Sequence, residues 1–186
     1  SVLDLIVRLI EAQAPNMLCS ILLVDRSAGV LRHGAASTLP PRWVAFVDGA
    51  AIGPAVGSCG AAAALGEVVE VDDIATHPNW IAFRDEALPL GLRACWSTPI
   101  LSPEREVLGT FAMYYPEPRG PSGAERQWVA AATHLAAIAI AAQRARQIKT
   151  ALVQSEAELR AIFQHAGIGI ALVEPDGRLV RVNEAL

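Results

Sequence analysis

The sequence of 186 residues predicts an α+β fold, on three observations. Apolar runs of strand length are joined by short turn sequences near both ends of the main body, the pattern of antiparallel hairpins. Short helical segments lie between those hairpins instead of alternating regularly with strands, which argues against a doubly wound sheet. Between Gly123 and Gly167 there is neither proline nor glycine, which allows a helix of roughly 40 residues, ~60 Å long.

Composition supports a packed core and excludes several classes of function. Hydrophobic residues make up 53% and charged residues 18%, so there is ample apolar surface to bury and disorder is not expected. The net charge is −4 and the 15 basic residues are scattered, with no basic stripe to follow a nucleic acid. Cys19, Cys59 and Cys95 are an odd set at no metal-ligand spacing, which fits a reducing compartment. The first residues are amphipathic and unlike a signal peptide. The most apolar stretch, 128–142, is alanine-rich, is interrupted by Thr133 and His134, and falls short of the ~20 residues a membrane span needs. A cytoplasmic location without membrane insertion is expected.

In order along the chain, Val2, Leu5, Ile6, Leu9 and Ile10 give a helical face over 1–14, stopped by Pro15-Asn16. Met17 to Val24 and Val30 to Ala36 read as two strands around the turn Asp25-Arg26-Ser27-Ala28-Gly29. Pro40-Pro41 opens a short helix ending near Asp48-Gly49. A glycine-rich loop over 52–60 feeds the alanine run 61–64, a short helix closed by Gly66. Glu67 to Val71 is a strand, and the segment from His77-Pro78 to Leu88 is loosely helical. Leu92 to Leu101 and Val107 to Tyr115 are two more strands about a polar turn.

Ser122-Gly123-Ala124-Glu125 is a capping box that starts the long helix. A heptad line passes through Leu135, Ile138, Ala142, Ala145, Leu152 and Leu159, while Lys149 and Glu156 occupy the other seam position and can fix register. One reading is a helix folded back on its own domain. The other, preferred here, is a parallel homodimer, because the seam continues beyond what one small domain can cover. After Gly167, Ile168 to Val173 and Leu179 to Val182 flank Glu174-Pro175-Asp176-Gly177, a hairpin signal. A single hairpin is marginal alone, so it reads as the first piece of a further domain. The expected organisation is therefore a core over 1–121, a signalling helix over 122–166, and the start of a second domain over 167–186.

Several blocks together resemble the GAF family of small-molecule sensor domains. They are Ile52-Gly53-Pro54, Gly57-Ser58-Cys59-Gly60, Val69-Glu70-Val71-Asp72-Asp73-Ile74, His77-Pro78-Asn79-Trp80, the run from Gly91 to Ile100 containing Leu92-Arg93-Ala94-Cys95-Trp96-Ser97, and Val107-Leu108-Gly109-Thr110-Phe111-Ala112. The likeness covers roughly residues 1–145 and is to the subclass found in multidomain bacterial signalling proteins. The tail, with Leu159-Arg160-Ala161-Ile162-Phe163 and Gly167-Ile168-Gly169-Ile170-Ala171, resembles the opening of a PAS domain. The GAF resemblance implies an antiparallel sheet of five or six strands, a helix bundle on one face and a ligand pocket on the other. It also implies dimerisation through bundle helices, and an output domain such as a histidine kinase or a cyclic di-GMP cyclase or phosphodiesterase.

Candidate ligand contacts are Ser58, Cys59, Asp72, Trp80, Phe83, Arg84, Cys95 and Ser97; no catalytic residue, metal site or cofactor is assigned. The Gly57–Gly60 loop is either an anion site, whose backbone N–H groups would lower the Cys59 pKa, or a tight turn of small residues. Strand alternation puts Cys95 and Trp96 on opposite faces, and Cys95 is either a reactive thiol or an inert buried one. Trp80 and Phe83 with Arg84 suit a planar or anionic ligand, or else are core residues beside a solvent ion pair. His33, His77, His134 and His165 have no shared ligand spacing. The leading expectation is a sensory module that binds a small ligand or senses redox state and relays the change through a dimeric helix, without catalysis of its own. The alternatives are a ligand-free dimerisation scaffold and a cysteine-dependent redox enzyme.

Overall fold

The computed structural model describes residues 1–185, in two compact units, 1–141 and a second from Ala142 onward. In the first unit, Ser1 caps α1 (Val2–Glu11): its hydroxyl accepts the Asp4 N–H at 3.2 Å while Asp4 accepts from the Ser1 amine at 2.7 Å. β1 (Leu18–Asp25) and β2 (Val30–Ala36) form the expected hairpin. Asp25 closes its turn by accepting the N–H groups of Ser27 and Ala28. α2 (Pro41–Val47), β3 (Ala50–Ala51) and α3 (Cys59–Leu65) follow, and Gly66 at φ 68° ends α3 in the left-handed conformation that glycine tolerates. Then come β4 (Val69–Val71), a 3-10 turn at Pro78–Trp80 and α4 (Arg84–Ala87). β5 (Ala94–Leu101) and β6 (Val107–Tyr115) lead into α5 (Gly123–Gln164).

The six strands make one antiparallel sheet in the order β3-β2-β1-β6-β5-β4. The α+β expectation holds. The edge strand β3 is only two residues long, too short to leave a strand pattern in the sequence. β5 begins at Ala94, two residues later than its apolar run, because Gly91 turns at φ 77° and the Leu92 N–H bonds to the Ala87 carbonyl instead of the ladder.

Both faces of the sheet are buried, and period-2 alternation divides them into two cores. Ile21, Phe111, Met113 and Tyr115 face α1 and α5, whose Leu3, Ile6, Val7, Val129, Ala132, Ala136 and Ile140 complete that layer. Leu22, Cys95, Ala112 and Tyr114 face the other way, under Trp43, Val47, Ile74 and Trp80. On α5 the buried positions 129, 132, 136 and 140 recur at helical spacing, so the helix does lie on its own domain at its start. Leu135, Ile138, Leu152 and Leu159 are instead more than half exposed, and Ala142 and Ala145 are exposed with them. No helix among the described residues is long and apolar enough to cross a membrane.

In the second unit, β7 (Ala171–Val173) and β8 (Leu179–Val182) form the hairpin, turning at Gly177 with φ 88°. β7 is shorter than its apolar run because Ile168 and Ile170 bond to a side chain. Asn183, 4% exposed, accepts the Ile170 N–H at 2.8 Å and donates to the Ile168 carbonyl at 2.8 Å.

Gly109 sits in the central β1–β6 pair opposite Leu23, where an added Cβ would collide with the Leu22 carbonyl. Gly109→Ala is expected to lower the urea-unfolding stability by about 1–3 kcal/mol, the usual cost of overpacking a core.

Candidate functional site

The face of the sheet under α2, α3 and the 3-10 turn gathers most of the chemistry. β5 aims Cys95 and Ser97 at it, β6 aims Thr110, Ala112 and Tyr114, and β1 aims Ser20 and Leu22. α3 lies across β5 with Cys59 at its first position, and the Cys59 Sγ is 3.0 Å from Ser97 Oγ. Gly60 permits this approach, since a Cβ there would meet the Ala51 carbonyl oxygen at 2.6 Å. Ser58 does not cap the helix. Its buried hydroxyl donates to the Cys95 carbonyl at 3.1 Å and accepts the Trp80 indole N–H at 3.0 Å, tying α3, β5 and the 3-10 turn together.

Aromatic rings roof the cluster. Trp43 and Trp80 stack at 5.8 Å and 9°, Tyr114 meets Trp43 edge-on, and Phe83 meets both Trp80 and Phe46 edge-on. The space left among them is about 20 Å³, near the room one water needs. Trp43 Nε1, which lines that space, and Ser20 Oγ and Thr110 Oγ1 in the strands beneath are buried without a well-aligned hydrogen bond, although Tyr114 and Cys59 lie beside them. Such orphaned groups are costly and mark a site where a polar guest would be accepted.

The two thiols differ. Cys59 is partly exposed as a residue while its thiol is enclosed beside the small space under the roof, whereas Cys95 is fully buried. The neighbouring Cys95 thiol leads the effects that hold the Cys59 thiol down to about 7, against burial and with help from Ser97, Thr110 and Tyr114. Burial pushes Cys95 well above its ordinary 9.0, and the neighbouring Cys59 adds to this. The Cys59 shift comes from side chains and not from a backbone anion site: the Gly57 N–H is already bonded to the Asn79 carbonyl at 2.8 Å, and α3 has only seven residues.

Of the other candidates, Trp80 is buried and Phe83 half-buried in the roof. Arg84 pairs with neither Asp85 nor Glu86 but donates to the Ala75 carbonyl at 3.0 Å, outside the thiol cluster. Asp72 is exposed and lies elsewhere: its carbonyl accepts the Arg119 N–H at 2.9 Å and its carboxylate abuts Gly120. The structure thus brings together Ser58, Cys59, Trp80, Phe83, Cys95 and Ser97, and adds Ser20, Trp43, Thr110 and Tyr114. His77 accepts the Asn79 N–H at 3.2 Å and caps the 3-10 turn.

The opposite face of β5 carries Trp96. Its indole N–H donates to the Arg119 carbonyl at 3.0 Å, and the Arg119 guanidinium lies over both Trp96 and Tyr115. Glu125, 4% exposed in the first turn of α5, accepts from Tyr115 Oη, from Arg119 at 2.9 Å and from the Ser122 N–H at 2.6 Å. Ser122 Oγ accepts the Glu125 N–H in return, which completes the expected capping box. Beside this clamp is a larger cavity of about 230 Å³, floored by Trp96, Met113 and Val129 and rimmed by the ion-paired Glu70 and Arg126.

Comparison with known proteins agrees with this architecture. A model of the GAF domain matches residues 1–141. The chain belongs to the GAF domain family. A curated relative, the methyl sulfide methyltransferase-associated sensor of Methanosarcina acetivorans, is 35% identical over 176 residues, covering 95% of this chain. The chain spans 17% of that relative's length. Among solved structures, the GAF domain from a phosphoenolpyruvate-protein phosphotransferase of Coxiella burnetii superposes with a TM-score of 0.64 at 27% identity, covering 78% of this chain and 84% of that one. The free methionine-R-sulfoxide reductase of Neisseria meningitidis, solved with its substrate, superposes with a TM-score of 0.63 at 18% identity, covering 77% and 78%. The reductase shares the GAF fold, and its likeness reaches no further than that.

Glu125 gives a testable consequence for this GAF domain. Burial raises its pKa, but the bonds from Tyr115, Ser122 and Arg119 outweigh it and hold the carboxyl below its ordinary 4.5. A carboxyl depressed in the folded state adds stability that is present above the unfolded pKa and lost as pH falls through the folded one. Glu125→Ala is expected to cost about 2–4 kcal/mol at pH 7, measured by urea unfolding, with the difference from wild type shrinking below pH 4.5.

Proposed function

We propose that this GAF domain is the sensory part of a larger signal-transduction protein, and that its input is read on the Cys59–Trp80 face and its output leaves through α5. One observation carries the reading. β5 presents Cys95 and Ser97 to the aromatic-roofed cluster and, from the residue between them, Trp96 to the clamp that holds the root of α5. A small polar ligand that engages Ser20, Thr110 and Trp43, or a change in the thiols, shifts β5 and so biases the helix between two arrangements. The ligand must bind one arrangement more tightly for this to work. The GAF domain is proposed to transmit and not to catalyse, and the curated relative's name as a sensor supports that.

The relay is proposed to run in a parallel homodimer, supported by the outward line of Leu135, Ile138, Ala142, Ala145, Leu152 and Leu159 on α5. It would lead to the start of a PAS domain at residues 167–186, and beyond it to a histidine kinase or a cyclic di-GMP enzyme. A scaffold that dimerises without a ligand is the second reading, favoured by the small space of about 20 Å³ under the roof.

Sedimentation tests the dimer: wild type is expected as a dimer at micromolar concentration, and Ile138→Glu with Leu152→Glu as a folded monomer, since both positions are exposed. A thermal-shift screen of nucleotides, amino acids and tetrapyrroles separates the two readings. A hit whose shift disappears in Thr110→Val supports the sensor, and no shift with any compound favours the scaffold.

A further inference from the structure

We infer that Cys59 and Cys95 are a peroxide-reactive pair that closes reversibly into a disulfide on the pocket face, with Cys59 as the attacking thiol and Cys95 as the resolving one. The inference rests on that face being the sensing site, and gives it a chemistry.

Placement comes first. The Ser58 hydroxyl binds the Cys95 carbonyl at 3.1 Å, so the start of α3 is pinned to β5 at the level of Cys95. One residue on, Cys59 Sγ reaches Ser97 Oγ at 3.0 Å, two positions along the same face of β5 from Cys95, and the Cys95 thiol is the neighbour that acts on it most strongly. The two sulfurs therefore share one enclosure. Both are free thiols in this structure, and closure asks them to meet at disulfide geometry across the α3–β5 contact.

Roles follow from exposure and neighbours. Cys59 lines the small space under the aromatic roof, and hydroxyls of Ser97, Thr110 and Tyr114 lie near it, able to stabilise a thiolate. Its lowered pKa of about 7 agrees with the attacking role, and the raised pKa of the buried Cys95 with a thiol that reacts only when a neighbour is activated. The space of about 20 Å³ beside it admits a molecule the size of hydrogen peroxide and little more. Cys19 provides an internal contrast, being buried in the other core with its pKa also raised by burial.

The chemistry balances. The Cys59 thiolate attacks one peroxide oxygen, the O–O bond breaks, and the leaving oxygen departs as water after taking a proton, which leaves Cys59 as a sulfenic acid. The Cys95 thiol then attacks the sulfenic sulfur, the S–S bond forms and a second water leaves. Two thiols and one hydrogen peroxide become one disulfide and two waters, with two electrons passing to the peroxide. A dithiol reductant resets the pair by exchange.

The test uses the whole chain. Trypsin separates Cys59 on peptide 43–84, Cys95 on peptide 94–105 and Cys19 on peptide 9–26. After brief treatment with hydrogen peroxide and trapping of free thiols, mass spectrometry is expected to find 43–84 joined to 94–105, while Cys19 stays alkylated. Cys95→Ser is expected to accumulate a sulfenic acid on Cys59, caught by dimedone, and Cys59→Ser to remain unmodified at Cys95. In the untreated protein at pH 7, Cys59 is expected to react with iodoacetamide at least about tenfold faster than Cys95, following its thiolate fraction. Cys59 and Cys95 both still alkylatable after peroxide, Cys59 driven to sulfinic acid with no bond to Cys95, or a bond only between chains would each overturn the inference. Hydrogen exchange over 119–130 separates it from the relay. Exchange unchanged after the disulfide has formed leaves the thiol pair standing and removes the proposed relay, whereas no disulfide with a ligand-induced change removes the pair alone.

Discussion

The alternation of side chains along β5 is the constraint on which the rest of the first unit depends. A strand buried on both faces must supply two different cores from successive residues, and here Ala94 and Trp96 serve one while Cys95 serves the other. A slip of one residue in the β5–β6 register would bring Trp96 under the aromatic roof and Cys95 and Ser97 against α5. The register is held by the long ladder to β6, by the Ser58 bond to the Cys95 carbonyl and by the Trp96 bond to the Arg119 carbonyl. The last two attach to opposite layers, so each layer fixes the strand for the other.

That arrangement explains why the two faces differ in polarity. The layer against α1 and α5 is almost wholly apolar, and the charge buried beside it, Glu125, is surrounded by donors. The other layer holds hydroxyls and thiols with incomplete partners beneath aromatic rings. An interior polar group left unpaired weakens the fold, so a concentration of such groups on one face of the sheet points to use and not to stability. The enclosure is nearly full in this structure, and any guest larger than water must displace the roof, whose Trp43, Trp80 and Phe83 belong to short elements on the edge of the unit.

Features encoded locally were readable from the sequence. The first hairpin, the end of α3 at Gly66, the capping box of Ser122 and Glu125 and the length of α5 each follow from turn, cap or periodicity rules acting within a few residues. Cys95 and Trp96 on opposite faces followed from strand period alone. The meeting of Cys59 with the Cys95 and Ser97 face of β5 did not, because it depends on α3 crossing β5, with 35 residues lying between the two cysteines in the chain. Nor did Glu125's bonds to Tyr115 and Arg119, although a glutamate in a cap position was visible. Trp43, Ser20 and Thr110 were not legible as site residues, because a tryptophan in a short helix and hydroxyls in apolar strands have no local signature of a site. Asp72 shows the converse: it lies within a family block but sits at an exposed turn against the β6–α5 connection.

The central claim is that the pocket face and the root of α5 are coupled through β5. A double-mutant cycle between Ser58→Ala and Glu125→Gln, two residues on opposite layers of the sheet, measures it most directly by urea unfolding. Coupling through β5 gives an interaction energy of at least about 0.5 kcal/mol, whereas additivity within about 0.3 kcal/mol would mean that the two layers are independent.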